Sequence, residues 1–295
     1  MSHSSEQTPK TVRQLLQKAT GQLKRAGVGD ARLNAELLLA HALGVDRSAL
    51  FARPNAAVPN LVAHRMEALT RRRAAREPLQ YLLGSWEFYG RTFEVTPAVM
   101  VPRQETELLV EKCLEKLPAD EQGPAADVGT GSGIIGVTLA AERPHLRVVA
   151  TDSSAPALAV ARRNACRHGV GGRISFVQAD LAAGLRPQAF ALVVSNPPYV
   201  PVSEIDGLEP EVSRHEPRRA LDGGPDGLEV VRRLVPQAGR ALRPGGWLAL
   251  ELGPGQWERV RTMALECGCF DTETAECMTD PAGWDRVFCI RKRAG

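Results

Sequence analysis

This sequence of 295 residues lacks several features that would indicate a secreted, membrane-bound or strongly nucleic-acid-binding protein. Residues 1–10 are polar and contain no apolar segment of the kind found in secretory signals. No apolar run approaches the roughly 20 residues that cross a bilayer. The net charge is only +3, so overall electrostatic attraction to nucleic acid is weak. We therefore expect a cytoplasmic protein that contacts no membrane and binds no nucleic acid directly.

Cysteine motifs typical of metal sites are also missing. The six cysteines form no C-x-x-C pair, and Cys267 and Cys269, which flank one glycine, have no second pair or histidine nearby. The pattern favours free thiols in a reducing compartment and predicts no metal site.

One cluster of positive charge departs from the overall balance. Four arginines, Arg71, Arg72, Arg73 and Arg76, lie within six residues. The cluster is either a local footprint for nucleic acid or the solvated end of a helix, and we favour the helix end.

The first part of the chain has the periodicity of helices. Val12, Leu15, Leu16, Ala19 and Leu23 fall on one helical face, and similar patterns continue to residue 76 with breaks at glycines and prolines. We predict a bundle of four or five short helices over residues 1–84. Aromatic and β-branched residues around Gly90 then predict a β-hairpin within a linker, residues 85–101.

The remainder, residues 102–295, alternates between strand and helix patterns. Strands are predicted at residues 125–128, 147–151, 173–178, 190–195 and 247–251, with two more at 271–275 and 286–290. Helices are predicted between them. This order is typical of a Rossmann-like α/β domain, in which helices cover both faces of a mostly parallel sheet, here of seven strands.

A glycine-rich loop follows the first strand of this region. Residues 127–133 read Asp-Val-Gly-Thr-Gly-Ser-Gly, and the glycines allow the backbone to approach a ligand closely. The same stretch satisfies the dinucleotide pattern G-x-G-x-x-G, so a nicotinamide-dependent dehydrogenase has to be considered. The predicted cofactor contacts of this loop are Gly129, Thr130, Gly131, Ser132 and Gly133.

Two acidic residues at strand ends are further candidates for cofactor binding. Asp152 would accept hydrogen bonds from ribose hydroxyls, which NAD and S-adenosylmethionine both carry, or it caps the helix that follows. Asp180 would contact the adenine amino group or act as a cap. Three features favour S-adenosylmethionine over NAD. They are the acid before the first glycine, the strand pair that ends the chain and the Asn-Pro-Pro-Tyr motif at residues 196–199.

The most specific motif is Asn196-Pro197-Pro198-Tyr199, directly after the apolar strand at residues 190–195. Ligands of open α/β sheets bind at the carboxyl ends of strands. The Asn196 side-chain oxygen and the Pro197 carbonyl would accept the two N–H bonds of a planar amino group. Pro198 would stiffen the loop, and Tyr199 would stack on the substrate. We assign catalysis to Asn196, Pro197 and Tyr199, and substrate binding to all four residues.

Together these motifs resemble the HemK/PrmC family of N5-glutamine methyltransferases. The likeness extends over about residues 11–291 and includes residues 77–84, 101–107, 127–133, 195–199, 220–228 and 245–253. It implies a class I methyltransferase sheet and S-adenosyl-L-methionine as methyl donor. The acceptor it implies is the glutamine of a Gly-Gly-Gln loop in peptide chain release factors, with the helical domain docking that protein.

The resemblance also assigns residues and shows departures. It places cofactor contacts at Gly129 to Gly133 and at Asp152, with one more after the third strand, at Leu181, where the family often has an aromatic residue. It also places the substrate amide at Asn196 to Tyr199, and we expect Asn196 to contact the cofactor as well. Gln104 and His215 replace a proline and a phenylalanine that are usual in the family.

Other functions remain to be weighed at this point. An adenine-N6 methyltransferase of DNA or RNA uses the same tetrapeptide, but the chain has no stripe of basic and aromatic residues to bind nucleic acid. A non-catalytic nucleotide-binding module would not need the intact tetrapeptide, and a dehydrogenase has no use for it. We expect a monomeric methyltransferase.

Overall fold

The computed structural model describes residues 10–294 and divides into two compact units. The first comprises residues 10–84 together with 209–215, and the second comprises residues 85–208 and 216–294. In chain order the helices and strands are α1 (Val12–Arg25), α2 (Ala31–Leu43), α3 (Arg47–Ala52), α4 (Asn60–Ala74), α5 (Leu79–Leu83), β1 (Ser85–Phe88), β2 (Arg91–Glu94), α6 (Glu105–Lys116), β3 (Ala125–Val128), α7 (Ile134–Glu142), β4 (Val148–Asp152), α8 (Ala155–Arg167), β5 (Ile174–Gln178), β6 (Phe190–Ser195), α9 (Pro210–His215), α10 (Glu229–Ala241), β7 (Leu242–Glu251), α11 (Trp257–Glu266), β8 (Phe270–Thr279) and β9 (Asp285–Lys292).

The first unit is helical, as the periodicity predicts, and consists of α1–α5 with the short α9. A capping box starts α1, because the Thr11 hydroxyl accepts from the Gln14 N–H while the Gln14 side chain accepts from the Thr11 N–H. The buried faces of the helices form an aliphatic core that includes Leu15, Leu38 and Met66.

Three of the four clustered arginines near the end of α4, Arg72, Arg73 and Arg76, pair with acidic residues of the same unit. Arg73 is only 7% exposed, and it donates to Asn34 Oδ1 at 2.8 Å and to Glu211 Oε1 at 2.7 Å. Arg76 also binds Glu211, at 2.6 Å. Arg71 and Arg72 are exposed, as expected for a solvated helix end, whereas Arg73 is buried and holds α9 on the helical unit.

The second unit contains a seven-stranded sheet in the order β5-β4-β3-β6-β7-β9-β8. The first five strands in this order run parallel to one another, while β9 is antiparallel to both β7 and β8. The separate hairpin of β1 and β2 is antiparallel, with Phe88 opposite Arg91. These observations confirm the predicted Rossmann-like fold, the helical N-terminal region and the hairpin.

An apolar core lies on each face of the sheet. Successive side chains of β6 point to opposite faces, so this strand contributes to both cores. Leu192 and Val194 pack in the cluster that contains Leu109 of α6 and Val137 of α7. Val193 packs in the opposite cluster with residues of α10 and α11. The chain runs from β3 outward to β4 and β5, and then returns to form β6 beside β3. The carboxyl ends of β3 and β6 therefore form the switch point at which such sheets bind ligands.

Candidate active site

The glycine-rich loop joins β3 to α7 at this switch point. Gly129, Gly131 and Gly133 have φ values of 73°, 55° and 84°, a region that favours glycine. The N–H groups of Gly129 and Thr130 both donate to the Thr151 carbonyl, at 2.8 and 2.9 Å, which fixes the loop against the end of β4.

Asp127 holds the glycine-rich loop in place through hydrogen bonds. This buried carboxylate accepts from the Thr130 hydroxyl at 2.6 Å and from the Gly136 N–H at 2.9 Å, both through Oδ2. Burial raises the pKa of Asp127 to about 6, although the two hydrogen bonds act in the opposite direction. Its other oxygen, Oδ1, is buried and has no hydrogen-bond partner among the described residues.

Asp152 stands at the end of β4, as predicted, and faces the glycine loop. Its Oδ2 accepts from the Gly131 N–H at 2.9 Å, and its Oδ1 accepts from the Ser154 N–H at 2.8 Å. The capping role that competed for Asp152 belongs to Ser154, whose side chain accepts from the Ala157 N–H. A carboxylate has about four acceptor positions, so Asp152 retains acceptors for ribose hydroxyls.

Asp180 and Leu181 lie on the same cavity as the glycine loop. Asp180 is exposed and makes an ion pair with Arg233 of α10. Leu181 is not glycine and yet has φ of 55°, and its carbonyl accepts from the Thr151 hydroxyl at 2.9 Å. This hydrogen bond holds the loop after β5 at the cavity. Leu181 offers an adenine ring an aliphatic surface and not an aromatic one.

The residues around this cavity fit S-adenosylmethionine by their chemistry. Carboxylates at positions 152 and 180 suit hydroxyl and amino groups, which donate hydrogen bonds. The remaining wall is largely apolar and suits the adenine ring, with side chains of Val99, Ile134, Ile135, Ala157 and Leu181. At Gly129 and Gly131, a Cβ would have no heavy atom closer than 4.0 Å, so the positive φ, and not crowding, is what requires glycine there.

The tetrapeptide Asn196-Pro197-Pro198-Tyr199 follows β6 directly. Asn196 and Pro198 line the cavity with the glycine loop, because β3 and β6 are neighbours in the sheet. Just before it, the Ser195 hydroxyl donates to the Val128 carbonyl at 2.7 Å, which ties the ends of the two strands together. The structure therefore brings the predicted cofactor loop and the predicted substrate motif together.

The side chain of Asn196 is held through its nitrogen. Nδ2 donates to the Thr106 hydroxyl at 3.1 Å, and that hydroxyl donates to Glu251 Oε2 at 2.6 Å. No described residue donates to Asn196 Oδ1 or to the Pro197 carbonyl. Burial raises the pKa of Glu251 to about 7, although the Thr106 hydroxyl, the Arg286 guanidinium and the Asn196 side chain lower it.

The backbone of Tyr199 is held by Gln256. Its carbonyl accepts from Gln256 Nε2 at 3.0 Å, and the same nitrogen donates to the Gly227 carbonyl at 3.3 Å. A Cβ at Gly227 would lie 2.4 Å from the Tyr199 carbonyl oxygen, so the loop at residues 222–227 needs glycine in order to pack here. Burial raises the pKa of Tyr199 to about 12, which keeps the phenol neutral.

Sequence reasoning assigned no role to Thr106, Glu251 or Gln256. Thr106 lies within residues 101–107, a stretch recognised only as a resemblance. Glu251 ends a predicted strand, and acidic residues at strand ends were already singled out at Asp152 and Asp180. The same signal points to Glu251. Nothing in the local sequence distinguishes Gln256.

Two departures from the family pattern fall at Gln104 and His215. Gln104 precedes α6 and makes no side-chain capping hydrogen bond. His215 is the last residue of α9, within the helical unit. Within residues 10–294 no three His, Cys, Asp or Glu side chains are placed to hold a metal, and no helix is long and apolar enough to cross a membrane.

Comparison with solved structures supports the same fold. A methyltransferase from Pyrococcus furiosus superposes with a TM-score of 0.51 at 19% identity, covering 70% of this chain and 91% of that one. The 16S rRNA N2 G1207 methyltransferase of T. thermophilus, solved with AdoMet and guanosine, also gives 0.51 at 20% identity, over 71% of this chain and 50% of that one.

Sequence comparison identifies the family. Residues 14–84 match the PrmC N-terminal domain, and residues 104–207 match the methyltransferase small domain. The release factor glutamine methyltransferase of Geobacter sulfurreducens is 46% identical, with 94% of this chain and 95% of the relative covered. The enzyme of the same name from Moorella thermoacetica is 45% identical, with 96% and 99% covered. The two domain matches cover the helical region and part of the sheet, and the sequence similarity to these relatives extends over nearly the whole chain. This chain therefore belongs to the release factor glutamine methyltransferases.

Proposed function

We propose that this enzyme transfers the methyl group of S-adenosyl-L-methionine to the side-chain amide nitrogen, N5, of the glutamine in the Gly-Gly-Gln loop of peptide chain release factors. The observation that carries the proposal is the orientation of the Asn196 amide beside the glycine loop. Its nitrogen is engaged by Thr106, and its oxygen is left to accept from a substrate. Family membership supports the same reaction.

The chemical difficulty of this reaction lies in the nucleophile, because an amide nitrogen shares its lone pair with the carbonyl group. S-adenosylmethionine supplies a methyl group on a sulfonium, which is already a good leaving group. Asn196 Oδ1 and the Pro197 carbonyl would accept the two N–H bonds of the glutamine amide and aim its nitrogen at the cofactor cavity. Positioning of this kind supplies a large part of the rate acceleration.

The same two oxygens also suit the charge that develops during transfer. Nitrogen becomes more positive as the new C–N bond forms, and fixed carbonyl dipoles stabilise that charge. The methylated nitrogen is acidic, so its proton needs no strong base. Neutral Tyr199 would stack on the planar amide, and Pro198 limits the freedom of the loop.

The residues assigned to S-adenosylmethionine are those of the cavity beside β3. Asp152 would hold the ribose hydroxyls, Asp180 the adenine amino group and Leu181 the adenine face. Gly129, Thr130, Gly131 and Ser132 would form the backbone cradle, with Asn196 at its substrate end. Gly133, also assigned to the cofactor, does not line this cavity and starts α7 as its N-cap. These assignments rest on position and chemistry.

The wider setting belongs to the same proposal. The helical unit would dock the release factor, and we infer a cytoplasmic monomer that needs no nucleic acid. The engagement of Arg73 and Arg76 by Glu211 supports the absence of nucleic acid, because it leaves less free positive charge near the end of α4 for phosphates.

The test offers the enzyme two acceptors in the presence of S-adenosylmethionine with a labelled methyl group. One is a purified release factor that carries an unmethylated Gly-Gly-Gln loop, and the other is adenine-containing DNA. We expect label on the release factor alone, mapped to the glutamine by mass spectrometry of the loop peptide. Replacing that glutamine in the release factor should abolish labelling. Label on DNA alone would overturn the proposal and favour adenine-N6 methylation.

A further inference from the structure

Thr106 and Glu251 reach Asn196 from two different elements. Thr106 lies in the first turn of α6, and Glu251 is the last residue of β7. Because Ser195 of β6 pairs with Leu250 of β7, the next residues along these parallel strands, Asn196 and Glu251, leave the sheet side by side. Thr106 is fully buried and Glu251 is 1% exposed, so water does not compete for their hydrogen bonds.

The hydrogen-bonding capacity of these groups determines the direction of each bond. An ionised carboxylate can only accept, so the single proton of the Thr106 hydroxyl must be donated to Glu251. The hydroxyl oxygen can then only accept from Asn196, and the NH2 group is the part of the Asn196 amide that donates. The alternative rotamer would place Oδ1 against the Thr106 oxygen with no proton between them.

We propose that Thr106 and Glu251 are positioning residues that hold the Asn196 amide with its nitrogen inward and its oxygen toward the methyl acceptor. The inference rests on the proposed function only in taking Asn196 Oδ1 as the acceptor of a substrate N–H. It assigns a role to Thr106, which lies within residues 101–107, a segment that has no other part in the proposed reaction.

Protonation of Glu251 removes this constraint. A neutral carboxyl group can donate to the Thr106 oxygen, and the Thr106 hydroxyl is then free to donate to Asn196 Oδ1. The flipped Asn196 would present its NH2 group to the NH2 group of the substrate amide, and because both groups only donate, no hydrogen bond would form between them. The ionised Glu251 is therefore the active form, and activity falls as the pH decreases.

Other charged groups near Glu251 affect this titration. Arg286 of β9 favours the ionised form, and Glu105 of α6 disfavours it. Arg286 is itself engaged by Asp280 at 2.7 Å, and Tyr199, whose phenol remains neutral, also faces the carboxylate. With burial dominant, the pKa of Glu251 is about 7, so the acid limb of the rate profile falls in the neutral range.

The test compares Thr106→Val, which keeps the shape of the side chain but lacks the hydroxyl, with the matched control Thr106→Ser, which keeps the hydroxyl. We expect Thr106→Val to lower kcat by about 10- to 100-fold, as the loss of a supporting residue commonly does. The KM for the release factor and the affinity for S-adenosylmethionine should change little. Thr106→Ser should stay within about threefold of the original kcat, because the bond that orients Asn196 is retained.

Glu251→Gln supplies the second measurement. A glutamine amide can either accept from Thr106 or donate to it, so kcat should fall, and the acid limb near pH 7 should disappear from the kcat profile. A merely structural role would leave that limb in place. Thermal unfolding of each variant, with and without S-adenosylmethionine, identifies any variant that fails to fold. If Thr106→Val does not fold, the pH profile of Glu251→Gln decides whether these residues orient Asn196.

The result that would overturn the inference is a Thr106→Val enzyme with unchanged kcat, or a Glu251→Gln enzyme with an unchanged acid limb. Failure of the proposed function looks different. In that case the unaltered enzyme methylates adenine in DNA and not glutamine, and the kcat ratios of the same variants on that acceptor still test the orientation of Asn196.

Discussion

The carboxylate of Asp127 lies directly against Gly136. Asp127 Oδ2 accepts the Gly136 N–H at 2.9 Å, and a Cβ at position 136 would lie 2.9 Å from the same oxygen. Asp127 also accepts from Thr130, so one buried carboxylate fixes both the glycine loop and the first turn of α7. Position 136 thus needs glycine for this contact, and not for a dinucleotide.

Gly136→Ala should therefore displace the Asp127 carboxylate and loosen the glycine loop. We expect a loss of about 1–3 kcal/mol in the free energy of unfolding, typical of an overpacked core site, together with weaker binding of S-adenosylmethionine. Urea denaturation and titration calorimetry measure the two effects. The control is Gly172→Ala, where a Cβ would have no neighbour within 4 Å. Equal effects of the two substitutions would contradict the role given to position 136.

Asp152→Ala should weaken cofactor binding far more than Asp180→Ala. Asp152 anchors the Gly131 N–H and faces the cavity, whereas the Asp180 side chain is 65% exposed and paired with Arg233. Hydrogen bonds to a charged group contribute roughly 1.5–3 kcal/mol, so the Kd for S-adenosylmethionine should rise about 10- to 100-fold for Asp152→Ala. Calorimetry on both variants checks the order. A larger effect at Asp180 would reverse the assignment of these two carboxylates.

Asn196→Ala should reduce methyl transfer by at least about 100-fold, as the loss of a preorganised charge-stabilising group does in other enzymes. Cofactor affinity should remain within a small factor of the original, because the glycine loop and Asp152 are unchanged. The measurements are single-turnover transfer to a release factor and calorimetric binding of S-adenosylmethionine. If binding is lost and transfer at saturating cofactor is retained, Asn196 serves the cofactor and not the acceptor.

Glu251 should make the protein less stable as the pH rises from about 4.5 to 7. Its pKa is raised from the ordinary 4.5 to about 7, so in this range the folded state holds a proton that the unfolded chain has released. Below about pH 4.5 both states are protonated, and the cost of burying the charge is absent. The free energy of unfolding should therefore fall with rising pH by an amount on the order of 3 kcal/mol.

Glu251→Gln should flatten this dependence. Urea denaturation at several pH values across the window gives the comparison with the unaltered protein. A slope of the same sign should persist in the variant because the pKa of Asp127 is also raised, to about 6. Identical slopes in both proteins would mean that Glu251 is not protonated in the folded state at acidic pH.

Arg73→Ala should destabilise the helical unit by roughly 3 kcal/mol, since breaking a buried ion pair leaves its partner poorly compensated. Burial alone would raise the pKa of Glu211, but hydrogen bonds from Arg76 and Arg73 lower it to about 2, so both arginines act on this carboxylate. The neighbouring Arg72→Ala is the control, because Arg72 is exposed and Glu77 is its one ion-pair partner within residues 10–294. Its cost should be below about 1 kcal/mol. Chemical denaturation followed by circular dichroism reports both.

Much of the fold follows from local sequence patterns. The predicted strands at residues 125–128 and 190–195 match β3 and β6 residue for residue, because strands buried on both faces consist mostly of apolar residues, here with the exceptions of Asp127 and Ser195, and are bounded by polar turns. The predicted bounds of β4 and β5 differ from the observed ones by no more than one residue at each end, whereas the predictions for β7, β8 and β9 are too short. The predicted strand at residues 247–251 begins at Leu242 in the structure, since the pairing of Leu242 with Phe190 extends β7 through two glycines that have little strand propensity of their own.

The same distinction holds for the site. The sequence alone determined the glycine loop, the acidic strand ends and the tetrapeptide after β6, since each is a contiguous motif whose chemistry depends on its own residues and on the strand before it. Only the tertiary structure decided that the Asn196 amide meets Thr106, ninety positions earlier in the chain, and Glu251 at the end of the neighbouring strand. Their proximity depends on β6 and β7 being adjacent and on α6 packing beside them. Which way the amide points is a property of that assembled hydrogen-bond chain and of no single segment.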